Sequence, residues 1–150
     1  MANKPDGSSK AILRYFIQAT YERFAEFIPK KNIFVITSQQ YKDIVAEQLP
    51  NVIAENILCE PSRKNTAACV AWIAYKLLTI DPLANLICAP SDHIILDKEP
   101  FIKVCTDALH FTQHIKALVT LGIKPTNPNI GYGYIQYEPQ AVADNIYKVK

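Results

Sequence analysis

Apolar side chains recur at helical spacing in the first part of the chain. Between Lys10 and Ile28 they return every three or four residues, Ser8 and Ser9 precede them, and Pro29 follows. A period near 3.6 residues predicts an amphipathic helix, a serine hydroxyl can cap its start, and proline ends it. The pattern therefore predicts one helix over residues 10–28, preceded by a polar stretch over residues 1–9 that we expect to be a flexible tail.

Beyond this helix, short runs that are apolar on both faces alternate with further helical patterns. Such runs are typical of strands that are covered on both sides, as in parallel sheets. The predicted strands are Asn32–Thr37, Ile57–Cys59, Asn85–Ala89 and Ala117–Gly122, the predicted helices are Gln39–Leu49, Asn65–Thr79 and Pro100–His114, and two more extended segments are Tyr134–Tyr137 and Ile146–Val149. This alternation predicts an α/β fold, a Rossmann-like open and mostly parallel sheet with helices on both faces.

In sheets of this kind, ligands bind beyond the carboxyl ends of the strands. That rule selects three loops as candidate sites, namely Glu60–Thr66, Pro90–Asp97 and Lys124–Tyr134. We expect the chemistry of the protein to lie in these loops.

Composition narrows the range of partners. The 150 residues are 49% hydrophobic, which is enough for the core of one domain, and the net charge of +2 gives no one-sided field for nucleic acid or an anionic membrane. The longest apolar run, Ala67–Tyr75, is about half the length that a membrane span requires. Because the first ten residues lack the apolar region of a secretory signal, the expected location is the cytoplasm. We expect one domain over residues 1–150 with small-molecule partners, and a homo-oligomer stays open.

The cysteines, the histidines and the glycine patterns of the sequence indicate neither a metal cluster nor one of the common nucleotide-binding loops. The four cysteines lack CxxC spacing and stand among apolar neighbours, so we expect small core hydrophobes in a reducing compartment; they are Cys59, Cys69, Cys88 and Cys105. His110 and His114 are four residues apart on a predicted helix, but Phe111 stands where the HExxH pattern needs glutamate. The chain contains neither GxGxxG nor GxxxxGK[ST], which excludes a conventional dinucleotide-binding loop and a P-loop.

The first candidate loop joins two cations to the start of a predicted helix. Arg63 and Lys64 stand directly before Asn65 and Thr66, either of which can serve as the N-cap. The free N–H groups of a helix start, together with adjacent cations, favour an anion such as a phosphate. A capped surface turn with two solvated cations would present the same residues.

The second candidate loop places a carboxylate after a predicted buried strand. Asp92 is flanked by Ser91 and His93, and a carboxylate at the carboxyl edge of a sheet is suited to hold Mg²⁺ against phosphate oxygens. Pro-Ser-Asp is also the composition of an ordinary turn, so both interpretations stay open.

The third candidate loop contains two of the four glycines. Gly131 and Gly133 flank Tyr132, and Pro125 and Pro128 precede them. Glycines next to an aromatic residue let backbone N–H groups approach a ligand such as a sugar, and the prolines stiffen the approach. A bulge at the start of a strand is the alternative.

In this order, three segments resemble motifs of the mannose-1-phosphate guanylyltransferases, also called GDP-mannose pyrophosphorylases. The segments are EPSRKNTAACVAW, APSDHII and LVTLGIKPTNPNIGYGYIQ, and the resemblance extends from about Tyr15 to Lys150, including the helix that contains TYERF. It implies a fold of the nucleotide-diphospho-sugar transferase type. It also implies formation of GDP-mannose and pyrophosphate from GTP and mannose 1-phosphate, in the biosynthesis of nucleotide sugars.

The resemblance implies a role for each candidate residue. Asp92 would be the catalytic metal ligand for Mg²⁺, supported by Ser91 and His93. The nucleotide side would be formed by Arg63, Lys64, Asn65 and Thr66, and the sugar would be met by Gly131, Tyr132 and Gly133. The family usually has arginine where Lys64 stands, and lysine keeps the charge but loses the planar guanidinium fork.

The family also has features outside the matching segments. It opens with a strand and a Gly-rich, Arg-containing loop that cradles the triphosphate, and it continues with a Phe-x-Glu-Lys-Pro motif and a second metal-binding aspartate. From this we expect an incomplete nucleotidyltransferase domain that binds GTP weakly and has little turnover. The alternatives are a non-catalytic sugar-nucleotide-binding module and a fragment that completes its sheet with another chain.

Overall fold

The computed structural model describes residues 7–62 and 64–150, and for residues 7–15 the backbone alone. Its helices are α1 (Gly7–Ala25), α2 (Lys42–Gln48), α3 (Asn65–Leu78) and α4 (Lys98–His114), and its strands are β1 (Val35–Ser38), β2 (Ile57–Glu60), β3 (Tyr137–Ala143) and β4 (Ile146–Val149). The chain divides into two compact units, Met1–Glu99 and Pro100–Lys150, which are described separately. No helix in the described ranges is long and apolar enough to cross a bilayer.

The first unit contains the parallel strand pair of an α/β fold. β1 pairs with β2 in parallel, from Val35 opposite Ile57 to Ser38 opposite Glu60, and α2 lies between them in the chain. A parallel pair needs such a crossover because a tight turn can join only antiparallel strands. The predicted α/β class is therefore confirmed.

The hydrophobic core of the first unit joins both kinds of element. Its buried members come from α1, from α2 with the residue that follows it, and from β2; they are Tyr21, Val45, Leu49 and Ile57. Ile17, Ala25, Ile33, Val35 and Val52 pack against this cluster. Burying one such side chain contributes about 1.5–3 kcal/mol, so packing on α1 holds the strand pair together.

A buried asparagine fixes where the two strands begin. Asn56, 7% exposed, ends a 3₁₀ turn directly before β2, and its Nδ2 donates hydrogen bonds to the carbonyl oxygens of Lys31 and Ile33, both at 2.9 Å. Those carbonyls lie in the segment that leads into β1. One side chain therefore ties the entrance of β1 to the entrance of β2.

The second unit contains an antiparallel hairpin. β3 and β4 pair through a turn at Asp144 and Asn145, where Asn145 has φ 55°. Asparagine tolerates this left-handed backbone better than most residues, so it suits the turn. The rings of Tyr137 and Tyr147 lie with centroids 5.1 Å apart across the hairpin.

The predicted helices are confirmed, with shifted ends. α1 begins at Gly7 rather than at Lys10, and a turn separates its last residue, Ala25, from Pro29. Residues 7–9 of the expected tail are thus helical, whereas residues 1–6 lie outside the described part of the chain. α2 ends before Pro50, and Pro100 lies in the first turn of α4, where a missing N–H costs nothing.

Two of the predicted buried strands do not form. The strand predictions for Asn85–Ala89 and Ala117–Gly122 are wrong, since neither segment pairs with another in the described chain, and Leu118 is fully exposed. A strand needs a neighbour for its N–H and C=O groups, and these two segments have none here. β3 also begins at Tyr137, so the segment predicted to be extended over residues 134–136 precedes the ladder.

The expectation that all four cysteines are core residues is only partly confirmed. Cys105 is 2% exposed, Cys59 and Cys69 are half-buried, and Cys88 is exposed. Cys88 was expected in the interior because its segment was expected to be a strand covered on both faces. None of the four, all of which lie in the described part of the chain, forms a disulfide.

Candidate functional site

The three candidate loops belong to two units. Glu60–Thr66 and Pro90–Asp97 lie in the first unit, and Lys124–Tyr134 lies in the second.

The first loop leaves the carboxyl end of β2 and enters α3. Lys64 occupies the N-cap position, and no side chain in the described chain caps this end. The prediction that Asn65 or Thr66 is the N-cap is wrong, because α3 begins at Asn65 and Lys64 precedes it. Asn65 itself has a left-handed φ of 65°. Arg63 lies outside the described residues.

This arrangement keeps the features that suit an anion. Lys64, Asn65 and Thr66 are all exposed, and the first-turn N–H groups of α3 are not occupied by a capping side chain. Uncapped N–H groups and the helix dipole favour negative charge, and the Lys64 ammonium adds to that field.

The second loop holds its three candidate residues in an exposed turn. Ser91, Asp92 and His93 are all exposed, and the turn follows an extended segment rather than the expected strand. The Ser91 carbonyl oxygen accepts a hydrogen bond from the Thr20 hydroxyl of α1 at 3.3 Å. The backbone directly before Asp92 is therefore hydrogen-bonded to α1, and no strand ladder includes it in the described structure.

The third loop is organised by an asparagine that the sequence analysis did not select. The Asn129 Oδ1 accepts a hydrogen bond from the Gly131 N–H at 2.8 Å. The Tyr134 hydroxyl accepts one from the Asn129 N–H at 2.7 Å and donates one to the Asn129 carbonyl at 3.1 Å. These bonds close a small loop that presents Tyr132, 73% exposed, to solvent.

The absence of a side chain matters at one of the two glycines in this loop, Gly131. A Cβ on Gly131 would lie 3.1 Å from the Asn129 Oδ1, whereas one on Gly133 would meet open space. None of the described glycines has a positive φ, so conformational freedom is not what selects them here. The irregularities of the hairpin lie within β3, beyond Tyr137, and not at the glycines, so the bulge alternative is wrong.

An open cleft adjoins the third loop. It has a volume of about 340 Å³ and is lined by Pro125, Thr126, Asn127, Pro128 and Tyr134. The two prolines that we expected to stiffen this loop, Pro125 and Pro128, therefore line a concave surface.

The sequence analysis also missed two buried polar residues on α1. Thr20 is 9% exposed and Arg23 is 4% exposed, and the Arg23 Nη2 donates a hydrogen bond to the Thr20 hydroxyl at 3.1 Å. Their spacing puts both side chains on one helix face, which is the only signal that the sequence carries for them.

Comparison with known proteins places the chain in a family. The family model described as nucleotidyl transferase matches residues 11–148, which include all three loops. A mannose-1-phosphate guanylyltransferase of Salmonella montevideo is 44% identical over 104 residues, covering 68% of this chain and 21% of that protein. An Escherichia coli protein of the same name is 34% identical over 137 residues, covering 89% and 29%.

A third relative has a different name. The xanthan biosynthesis protein XanB of Xanthomonas campestris is 40% identical over 124 residues, covering 80% of this chain and 26% of that protein. The chain thus spans about a quarter of the length of these relatives. Since the family match covers nearly the whole chain, this protein belongs to the nucleotidyl transferase family.

Proposed function

We propose that this protein forms GDP-mannose and pyrophosphate from GTP and mannose 1-phosphate. The observation that carries the proposal is its similarity, over 68–89% of the chain, to proteins named mannose-1-phosphate guanylyltransferase. The exposed loops of the site support it, because each offers groups that suit one part of these substrates.

The reaction is a nucleotidyl transfer, and it relies on the positioning of the two substrates. A phosphate oxygen of mannose 1-phosphate attacks the α-phosphorus of GTP, a new P–O bond forms, and the bond from the α-phosphorus to the bridging oxygen breaks as pyrophosphate leaves. Such reactions need little covalent chemistry from the protein, so most of the catalysis comes from alignment and from stabilising negative charge.

The first loop would bind phosphate oxygens of the nucleotide. The α3 amino end and the Lys64 ammonium both favour negative charge, and the Thr66 hydroxyl and Asn65 amide add neutral hydrogen-bonding groups. Because Lys64 is exposed, its contribution would fall with ionic strength.

The second loop would hold Mg²⁺ through Asp92. The donor chemistry fits, since Mg²⁺ prefers one or two carboxylates and takes its remaining oxygens from water and substrate. The exposed Asp92 carboxylate is the group of this loop that would contribute to such a site. When bound, the ion would supply charge neutralisation on the phosphates. Ser91 and His93 would flank the nucleotide phosphates.

The third loop would meet the sugar. The exposed Tyr132 ring offers a flat face to a hexose, and the open space at Gly133 lets the backbone come close to the ligand. Asn129 and Tyr134 would keep this surface in place through their hydrogen bonds.

Calorimetric titration tests the proposal. The purified chain is titrated with GDP-mannose, GTP and mannose 1-phosphate, each with and without Mg²⁺, and pyrophosphate release is measured with both substrates present. We expect saturable binding of GDP-mannose that tightens with Mg²⁺. Absence of binding by all three ligands to folded protein would refute the proposal. Binding of GDP-mannose without turnover would instead favour the non-catalytic binding module.

A further inference from the structure

A hydrogen-bonded chain of buried side chains connects α1 to the turn that contains Asp92. The Arg23 guanidinium donates to the Thr20 hydroxyl at 3.1 Å, and the same hydroxyl donates to the Ser91 carbonyl at 3.3 Å. The Thr20 hydroxyl therefore accepts one hydrogen bond, from Arg23, and donates another, to Ser91.

The surroundings strengthen this connection. Thr20 and Arg23 are 9% and 4% exposed, so water competes little for their polar groups. A guanidinium that donates to a hydroxyl polarises it, which makes that hydroxyl a better donor to its own acceptor. This polarisation favours the bond to Ser91, although its length of 3.3 Å is greater than that of a typical O–H···O bond.

The other end of the connection has little support of its own. Residues 84–90 and 93–95 form no helix, strand or turn, and Ser91, Asp92 and His93 are exposed. The hydrogen bond to Ser91 spans 71 residues in sequence and joins this exposed segment to the buried face of a helix. Removal of the Thr20 hydroxyl would leave the peptide before Asp92 without that anchor.

We propose that Thr20 is a positioning residue that holds the Ser91–Asp92 turn, and with it the Asp92 carboxylate, in the place from which it binds Mg²⁺. The role in metal binding rests on the proposed function, whereas the holding of the turn does not. Thr20 contacts no substrate; it acts through Ser91, and Arg23 orients its hydroxyl.

Thr20→Val tests the proposal because valine keeps the shape of threonine and removes the hydroxyl. Nuclear magnetic resonance relaxation gives order parameters for the Ser91, Asp92 and His93 amides, and calorimetry gives the Mg²⁺ concentration for half-maximal binding of GDP-mannose. We expect the order parameters to fall from a rigid value near 0.85 toward about 0.6. We expect the Mg²⁺ concentration to rise about tenfold, which corresponds to about 1.4 kcal/mol and to one hydrogen bond.

Two further variants separate positioning from general stability. Thr20→Ser restores the hydroxyl and should return both measurements to wild-type values. Thr112→Val is the matched control, since among the described residues the Thr112 hydroxyl bonds to two carbonyls of its own helix, at 3.1 and 3.0 Å. Its loss should change neither measurement. Should Thr20→Val fail to fold, Thr20→Ala is measured in the same way.

The outcomes distinguish this proposal from the proposed function. Unchanged order parameters at Ser91–His93 in the variant without the hydroxyl, or no recovery in Thr20→Ser, would overturn the role of Thr20. If the wild-type chain binds no GDP-mannose at any Mg²⁺ concentration, the proposed function fails, and the order parameters alone then decide whether Thr20 holds the turn.

Discussion

The side chain of Asn56 gives the sharpest test of how this fold is held together. Its amide donates two hydrogen bonds of 2.9 Å, to the carbonyls of Lys31 and Ile33, from a position that is 7% exposed. Asn56→Ala removes both donors and leaves two carbonyls to find other partners. A hydrogen bond contributes about 0.5–1.5 kcal/mol net, so we expect a loss of about 2 kcal/mol in the free energy of unfolding. For a chain of this size, that lowers the Tm by about 4–8 °C.

Asn56→Asp is a more demanding test, because it keeps the shape of the side chain and replaces its hydrogen-bond donor, the amide NH₂, with an acceptor oxygen. At pH 7 a carboxylate would face two carbonyl oxygens, so we expect a loss at least as large as that of alanine. Burial and the facing carbonyls would raise the pKa of this carboxyl above its ordinary value near 4. The free energy of unfolding of this variant should then fall as the pH rises above about 4. Its loss of stability relative to wild type should be smaller in acid, where the protonated carboxyl can donate one hydrogen bond.

Urea unfolding followed by circular dichroism measures these differences, with Asn85→Ala as the control. Asn85 is exposed and its side chain forms no hydrogen bond in the described structure, so its replacement should change the free energy of unfolding by less than about 0.5 kcal/mol. Values for both Asn56 variants within that same margin of wild type would refute the reasoning that this amide joins the two strand entrances.

Three further changes probe the loops. Asp92→Asn should weaken Mg²⁺-dependent binding of GDP-mannose at least tenfold, as measured by calorimetry. Asp97 is an exposed carboxylate of the same loop, and the control variant Asp97→Asn should leave this binding unchanged. Equal effects of the two substitutions would argue against a metal role for Asp92. Tyr134→Phe removes the acceptor of the Asn129 N–H, so hydrogen exchange at that amide should speed up several-fold, and an unchanged rate would contradict the loop geometry. Partial desolvation raises the pKa of the Cys88 thiol, so less of the reactive thiolate is present near pH 8. Alkylation of Cys88, followed by mass spectrometry, should therefore be slower in the native protein than in urea and should accelerate above pH 9. A native alkylation rate equal to the rate in urea would contradict this expectation.

The helices were predictable because their signals are local. The apolar period of α1, the proline after α2 and the proline in the first turn of α4 all lie within the helices or next to them, so no knowledge of distant contacts is needed. The parallel pairing of β1 and β2 followed from the helix between them. The hairpin turn at Asn145 also has a local signal, in its Asp-Asn pair, but the sequence analysis did not use it.

The two strands that failed show what a composition-based prediction omits. The segments over residues 85–89 and 117–122 have strand-like compositions, yet a strand exists only when a neighbouring backbone accepts and donates its hydrogen bonds. Leu118 is fully exposed because its segment lies beside no such neighbour in the described structure. The composition of these segments indicates that they can form strands. Whether they do so depends on pairing with another segment, which their composition does not encode.

Buried polar residues were missed for a related reason. Thr20, Arg23 and Asn56 are polar and look solvent-facing in the sequence. Thr20 and Asn56 donate to backbone carbonyls brought close by folding, and Arg23 donates to the Thr20 hydroxyl. Likewise, Asn129 was passed over in favour of its glycine neighbours, although an Asn two residues before a Gly is a recognisable signal of an Asx turn.

The two candidate loops of the first unit are held in different ways, and this predicts different sensitivities. Lys64 lies between β2 and α3, and Asn65 and Thr66 are the first residues of α3, so the helix and the nearby strand ladder hold this loop in place. Asp92 stands in a segment without a ladder, and a single hydroxyl of α1 holds the peptide before it. Single substitutions distant from the first loop should therefore leave it in place unless they unfold the unit. The role proposed for Thr20 predicts, by contrast, that loss of its buried hydroxyl oxygen displaces the second loop, because that oxygen is the group through which α1 holds the peptide before Asp92.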